Sequence, residues 1–173
     1  DMLLHLAERS AGLHVWSMSC SDGAELYSTA IMLAERGLLP RSHLLGTDCR
    51  REAVEIAKNG CYDPAALAPV SAERRQQYFE PHGRRQRVTR YLRQHVRWQT
   101  TNLLDPFPRG CWNLILFRNT AMYLRLEALN LLWERIENAL RPGGLLMLGK
   151  AERPVGAKRL VQVASCIYQR TWR

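Results

Sequence analysis

Short apolar runs alternate with amphipathic stretches along this chain, and each run ends on a small, polar or charged residue. Leu13-His14-Val15-Trp16-Ser17 reads as a strand, and the small polar turn Met18 to Gly23 leads into a helix from about Ala24 to Arg36 that Gly37 stops. His43 to Thr47 is a second strand ending at Asp48, and Arg51 to Asn59 is a helix closed by Gly60. His95 to Thr100 and Asn113 to Phe117 are further strands. Leu126, Leu129, Leu132, Trp133, Ile136 and Leu140 recur at helical spacings of three and four, before the turn signal Arg141-Pro142-Gly143-Gly144. Leu145 to Leu148 is another apolar strand, and Leu160 to Ala164 with Ile167 to Thr171 forms a closing hairpin. Strand and helix in this alternation predict a parallel α/β sheet with helices on both faces.

Two stretches stand outside that rhythm. Residues 1–9 read as the end of a helix with Leu3, Leu4 and Ala7 on one side. Residues 61–94 carry Pro64, Pro69 and Pro81, a helix near Ser71 to Phe79 and a small antiparallel piece around Arg87 to Tyr91, so they read as an insertion. Between Arg74 and Arg97 there are eight arginines and one acid, Glu80, so most of the net charge of +9 lies there. Such a block suits nucleic acid, an anionic membrane, an acidic protein surface or a solvated face. The chain has 173 residues, 46% hydrophobic and 24% charged, which is one domain with enough core to need no disulfide or metal staple. The five cysteines include no C-x-x-C pair, no histidine stands near them at a ligand spacing, and free thiols suit a cytoplasmic compartment. No metal site and no membrane insertion are expected, the apolar runs being far shorter than the roughly 20 residues a span requires.

Ligands of open parallel sheets bind beyond the carboxyl ends of the strands. The first strand ends in Ser17-Met18-Ser19-Cys20-Ser21-Asp22-Gly23, where small residues admit a ligand close to the backbone. Asp48 ends the second strand, where an acid accepts the two hydroxyls of a ribose or, alternatively, caps the next helix. Asn102-Leu103-Leu104-Asp105-Pro106 offers an amide and an apolar face suited to an adenine, or a polar turn. Arg118-Asn119 closes the strand at Phe117. Together these describe a site for an adenosine-containing cofactor.

The segments Val15-Trp16-Ser17-Met18-Ser19-Cys20-Ser21-Asp22-Gly23-Ala24-Glu25-Leu26-Tyr27-Ser28, Asn102-Leu103-Leu104, Phe117-Arg118-Asn119 with Tyr123, and Leu140-Arg141-Pro142-Gly143-Gly144 resemble, in order, motifs of the chemotaxis receptor methyltransferases, the CheR family. The resemblance implies a Rossmann-like class I methyltransferase sheet with a small inserted β-subdomain, occupying residues 13–173. Residues 1–12 would then be the end of a linker helix from a leading domain. It further implies S-adenosylmethionine as cofactor, S-adenosylhomocysteine as product and glutamate side chains of chemoreceptor helices as acceptors. Carried over by position, Glu25 would hold the methionine ammonium and Asp48 the ribose. Asn102 and Leu103 would line the adenine, while Ser17 and Gly23 would allow close backbone approach. Arg118, Asn119 and Tyr123 would shape the reacting end, with Arg118 and Tyr123 as the catalytic pair.

The chain departs from the family pattern at several of these places. Ala24 replaces the first acid of G-E-E and Leu26 its proline; Asp22 stands where Thr is frequent. Thr120-Ala121 replaces a larger apolar pair, and Lys150-Ala151 replaces His-Ser in G-H-S-E. These differences keep open a second reading, a degenerate relative that binds the cofactor or a partner protein without turnover. A nucleic-acid methyltransferase is disfavoured, since Arg118-Asn119-Thr120-Ala121 is not an N-P-P-Y type motif and no Pro-Cys pair supplies an attacking thiol. The expected partner is a methyl-accepting chemoreceptor or a similar acidic helical protein, engaged by a monomer in the cytoplasm.

Overall fold

The computed structural model describes residues 5–7, 10–107 and 110–172. The elements are β1 (His14–Met18), α1 (Ala24–Ala34), β2 (His43–Asp48), α2 (Arg51–Asn59), β3 (Cys61–Tyr62), α3 (Ala72–Tyr78), β4 (Phe79–His82), β5 (Arg85–Val88), α4 (Arg90–Arg93), β6 (Val96–Thr100), β7 (Trp112–Phe117), α5 (Leu126–Ala139), β8 (Leu140–Leu148), β9 (Leu160–Ala164) and β10 (Ile167–Arg170). Residues 5–7 are helical, and Leu6 is buried in the core; Leu3 and Leu4 lie outside the described residues.

Seven strands form one sheet in the order β6-β2-β1-β7-β8-β10-β9. The first five run parallel, and β10 is antiparallel to both of its neighbours. The order runs outward from β1 through β2 to β6, then returns to β7 on the other side. The β1/β7 boundary is therefore the switch point where a crevice opens. Side chains alternate across the strands and give two cores. Val15, Leu114, Leu116, Leu145 and Ile167 meet Leu26, Ala30, Ile31 and Leu33 of α1. Trp16, Met18, Ile115, Phe117, Leu146 and Leu148 meet Leu132, Trp133, Ile136 and Ala139 of α5. Buried on both sides, β7 is apolar at nearly every position, which is why the sequence shows it as an unbroken run.

The structure differs from the sequence reading in two places. Arg141-Pro142-Gly143-Gly144 does not separate α5 from the next strand; β8 begins at Leu140, directly after the helix. Leu140 lies opposite Trp112 and Leu145 opposite Leu114, so Arg141 to Gly144 bulge out of the ladder between those pairs. Pro142 has no N–H to donate, and a bulge is where a sheet tolerates that loss. In the insertion, β3, β5 and β4 form a separate three-stranded antiparallel sheet. It ends at the pair Phe79–Val88, since α3 immediately precedes Phe79 and Thr89 N–H already donates to the carbonyl of its last residue, Tyr78, at 2.9 Å. Residues 90–93 consequently turn into the short helix α4 instead of extending the strand to Tyr91.

Candidate active site

Gln99, Thr47, Met18, Phe117 and Leu148 pair in one row across the sheet. The residues after each strand therefore share one rim: Thr101-Asn102, Asp48, the loop 19–23, Arg118-Asn119 and Gly149 to Glu152. At a strand spacing of about 4.8 Å the rim spans roughly 19 Å from β6 to β8, room for an extended nucleoside with a tail.

The first loop is bent and tightly tied. Ser19 and Ser21 are left-handed at φ 55 and 50, and Gly23 at φ 81. Cys20 N–H donates to the Thr47 carbonyl at 2.8 Å and Gly23 N–H to the Cys20 carbonyl at 2.9 Å. The Tyr62 hydroxyl, from the inserted sheet, donates to the Asp22 carbonyl at 2.8 Å. A Cβ on Gly23 would meet the Trp98 ring at 2.5 Å and Ala57 at 2.9 Å, so this position needs glycine both for its φ and for space. The Asp22 carboxylate accepts the Ala24 N–H at 3.1 Å, supplying a partner for the first turn of α1. Burial, with the nearby Asp48 and Asp22 carboxylates adding to it, pushes the Cys20 thiol up to about 12, which leaves it an inert packed group. Ser17 is fully buried and its hydroxyl has no hydrogen-bond partner.

Asp48 is 4% exposed. Its Oδ2 accepts Ser21 N–H at 3.0 Å; its Oδ1 accepts the Arg50 N–H at 3.0 Å and Arg50 Nε–H at 3.2 Å. Burial alone raises its pKa and is the largest single influence. The hydrogen bonds from Arg50 and Ser21 together outweigh it and hold the carboxyl below its usual range. Asp48 thus ties the first loop to the end of β2 and also closes the turn into α2, although Arg50 rather than Asp48 stands at the N-cap of that helix.

Glu25, in the first turn of α1, accepts Arg118 Nη1–H at 3.1 Å, so the structure brings these two sequence-selected residues together across the β1/β7 switch point. Its pKa is raised, first by burial; the hydrogen bond and charge of Arg118 pull it down, and the Glu152 carboxylate pushes it up. The pair lines a cavity of about 330 Å³ together with Ser28, Thr29, Met32, Leu114, Leu116 and Met147. Asp48, Asn102, Asn119 and Tyr123 lie outside that lining. Asn102 folds on itself: its Oδ1 accepts Leu104 N–H at 2.9 Å, and its own N–H donates to Asp105 at 3.0 Å. Leu103 packs partly buried against the α5-side core. Tyr123 is 79% exposed and stands beside exposed Met122 and Leu126 just beyond β7.

Sequence reasoning did not select Glu152. It is 5% exposed, and its carboxylate accepts N–H groups from Asn119, Thr120, Ala121 and Gly149. The signal for it was its place at the acid of the family's G-H-S-E, where Gly149 and Glu152 keep the outer residues around Lys150-Ala151. Tyr62 was missed because its partner is a backbone carbonyl 40 residues away in sequence. Among the described residues, no three His, Cys, Asp or Glu side chains gather as a metal ion would require, and no helix is long and apolar enough to cross a membrane.

Comparison with known proteins places the fold and the family. Among solved structures, PKMT2 from Rickettsia typhi in complex with AdoHcy superposes at a TM-score of 0.53 with 16% identity, over 80% of this chain and 21% of that one. The citrinin polyketide synthase CMeT domain does so at 0.51 with 18% identity, over 79% and 28%. These likenesses carry the fold. Among curated sequences, a chemotaxis protein methyltransferase of Vibrio parahaemolyticus is 30% identical over 95% of this chain and 63% of its own length. Chemotaxis protein methyltransferase Cher2 of Pseudomonas putida is 33% identical over 91% and 62%, so the chain spans a little under two thirds of these relatives. The family model described as "CheR methyltransferase, SAM binding domain" matches residues 1–169. With nearly the whole chain inside that match, and relatives of the same name at these identities, the chain belongs to the CheR methyltransferase family and corresponds to its S-adenosylmethionine-binding domain.

Proposed function

We propose that this domain binds S-adenosylmethionine along the rim and directs its methyl group to a glutamate side chain of a methyl-accepting chemoreceptor or a similar acidic helical protein. The observation that carries the reading is Glu25, a carboxylate only 26% exposed and fixed by Arg118 at the switch point, where a ligand's ammonium group would stand. The rest of the rim fits the same ligand. Glu25 and Asp48 place carboxylates along it, which suits a group bearing both a sulfonium and an ammonium. The buried Ser17 hydroxyl lies on β1 just before the first loop with its hydrogen-bonding capacity unused.

When bound, the cofactor supplies an activated methyl group. The residues of the chain do the positioning. Glu25 accepts the ammonium hydrogen bond. Asp48 retains a free lone pair on Oδ2, and the exposed Arg50 side chain can yield its place on Oδ1 to the second ribose hydroxyl. Asn102 and Leu103 border the adenine, and Gly23 lets the backbone come close. Asn119 and Arg118 frame the reacting end, and Tyr123 with Met122 and Leu126 forms an apolar lip on which a partner helix rests. An acceptor glutamate is already ionised at pH 7, so the site has to align it and exclude water rather than remove a proton. Calorimetry with S-adenosylhomocysteine is expected to show saturable one-to-one binding, and radiolabelled methyl transfer to a receptor fragment tests turnover. No binding heat overturns the cofactor reading; binding without transfer points to the non-catalytic relative.

Two further outcomes follow from the contacts of the insertion. Tyr62→Phe removes the donor that pins the Asp22 carbonyl and should weaken S-adenosylhomocysteine binding several-fold, with a stability loss of about 1 kcal/mol by denaturant unfolding. Unchanged affinity would show that the first loop holds its shape without the inserted sheet. In the arginine block, Arg74, Arg85 and Arg93 pair with Glu35, Asp63 and Glu80, and Arg87 donates to the Asn59 carbonyl, so these four serve the fold. Arg84 and Arg90 are exposed. Reversing both to Glu should slow association with an acidic receptor fragment, most strongly at low salt, and leave cofactor affinity intact. Association rates that do not change would make the block a solvated face.

A further inference from the structure

We propose that Glu152 is a positioning residue of this site, its carboxylate fixing the turn after β7 so that Arg118 faces Glu25. Oε1 accepts Thr120 and Ala121 N–H, each at 2.8 Å; Oε2 accepts Asn119 N–H at 3.0 Å and Gly149 N–H at 2.7 Å. Four amides fill the lone-pair sites of a carboxylate, so this group has none left for a ligand. It acts through what it holds. Asn119 sits at φ 55, a conformation that a residue with a Cβ keeps only where its surroundings impose it. Two of the four bonds flank that residue's own peptide, and Arg118 immediately precedes it. The direction in which the Arg118 side chain leaves β7, and hence its 3.1 Å bond to Glu25, follows from this turn.

Gly149 completes the junction. A Cβ there would lie 2.6 Å from Asn119 Oδ1 and 2.8 Å from Glu152 Oε2, so the residue just after β8 must be glycine for the carboxylate to reach the turn. Glutamine at 152 has nearly the same shape but turns one acceptor into an NH₂ donor aimed at backbone N–H groups. A carboxylate with a merely structural role would affect melting temperature and affinity independently of Arg118. A positioning role predicts coupling to it.

The inference rests on the reading of the rim as the cofactor site, and its test separates the two. S-adenosylhomocysteine affinity is measured calorimetrically for the wild type, Glu152→Gln, Arg118→Ala and the double variant, with hydrogen exchange of the amides of residues 119–121 and 149. Glu152→Gln is expected to weaken binding roughly tenfold to hundredfold, the loss of a charge-assisted contact. In the Arg118→Ala background the same change should cost less than about twofold. The full Glu152→Gln effect persisting without Arg118 overturns the inference. If Glu152→Gln does not fold, Gly149→Ala takes its place: weakened binding with faster exchange at 119–121 supports the inference, and wild-type values of both overturn it. If the wild type binds no S-adenosylhomocysteine, the functional reading fails. The exchange data then decide on Glu152: slow exchange of the four amides that quickens in Glu152→Gln upholds its hold on the turn, and fast exchange in the wild type overturns it.

Discussion

Asp48→Ala is expected to lower S-adenosylhomocysteine affinity about tenfold to hundredfold and to cost about 1–3 kcal/mol of folding stability at pH 7. Both effects arise from one carboxylate. Its oxygens accept Ser21 N–H and two groups of Arg50, so its removal frees the loop after β1 from the end of β2 and opens the turn into α2. The pH dependence carries a definite sign. The folded-state pKa is lowered, because the hydrogen bonds from Arg50 and Ser21 outweigh a burial effect that is individually larger. The stabilisation is therefore fully present above the unfolded value of about 3.9 and is lost as pH falls through the folded value. The gap in unfolding free energy between wild type and variant should hold steady from neutral pH down to about pH 4 and shrink below it. Wild-type affinity in Asp48→Ala would refute the ribose assignment. A gap that ignores pH would mean that the ionised form is not what Ser21 and Arg50 recognise.

The fold was legible because its central strands are short and each ends on a residue of different character. Thr47-Asp48, Ser17 followed by the small loop, and Phe117-Arg118 all mark a change from apolar to polar where the sheet stops. The helix α2 was readable to the residue, since Asn59-Gly60 closes it with a glycine in the left-handed conformation at φ 59. Arg141 to Gly144 misled because proline and glycines mark a departure from regular pairing without saying whether the chain leaves the sheet or bulges within it. At the rim, Arg118 could be read from its place after a strand, and Glu25 from the match of Gly23-Ala24-Glu25 to the family's G-E-E. What a residue holds through distant backbone could not be read, even where, as at Glu152, a family motif marks the residue. Tyr62 and Glu152 act on carbonyl or amide groups 40 and about 30 residues away, and backbone partners leave no trace in residue type. Trp98 is similar: its ring approaches Gly23, and only the glycine hinted at a close neighbour.

Glu25→Gln should separate stability from binding. The Glu25 pKa is raised, first by burial and further by the Glu152 carboxylate, and the Arg118 guanidinium only partly offsets this. For an acid shifted in that direction, the contribution to stability is full below the unfolded value of about 4.3 and is lost as pH rises through the folded value. At neutral pH the ionised side chain is consequently a net cost to the ligand-free fold. Glutamine keeps the shape without the charge, so the ligand-free variant should melt above the wild type at pH 7, and the difference should close on acidification toward pH 4. Binding should move the other way. Losing a charge-assisted hydrogen bond to an ammonium group costs about 1.5–3 kcal/mol, a tenfold to hundredfold fall in affinity for S-adenosylhomocysteine. Under the proposed reading, such a cost to the ligand-free fold is the expected trade for a carboxylate that meets a cationic ligand. A variant that melts lower than wild type and still binds normally would make Glu25 a structural partner of Arg118 and place the ammonium site elsewhere.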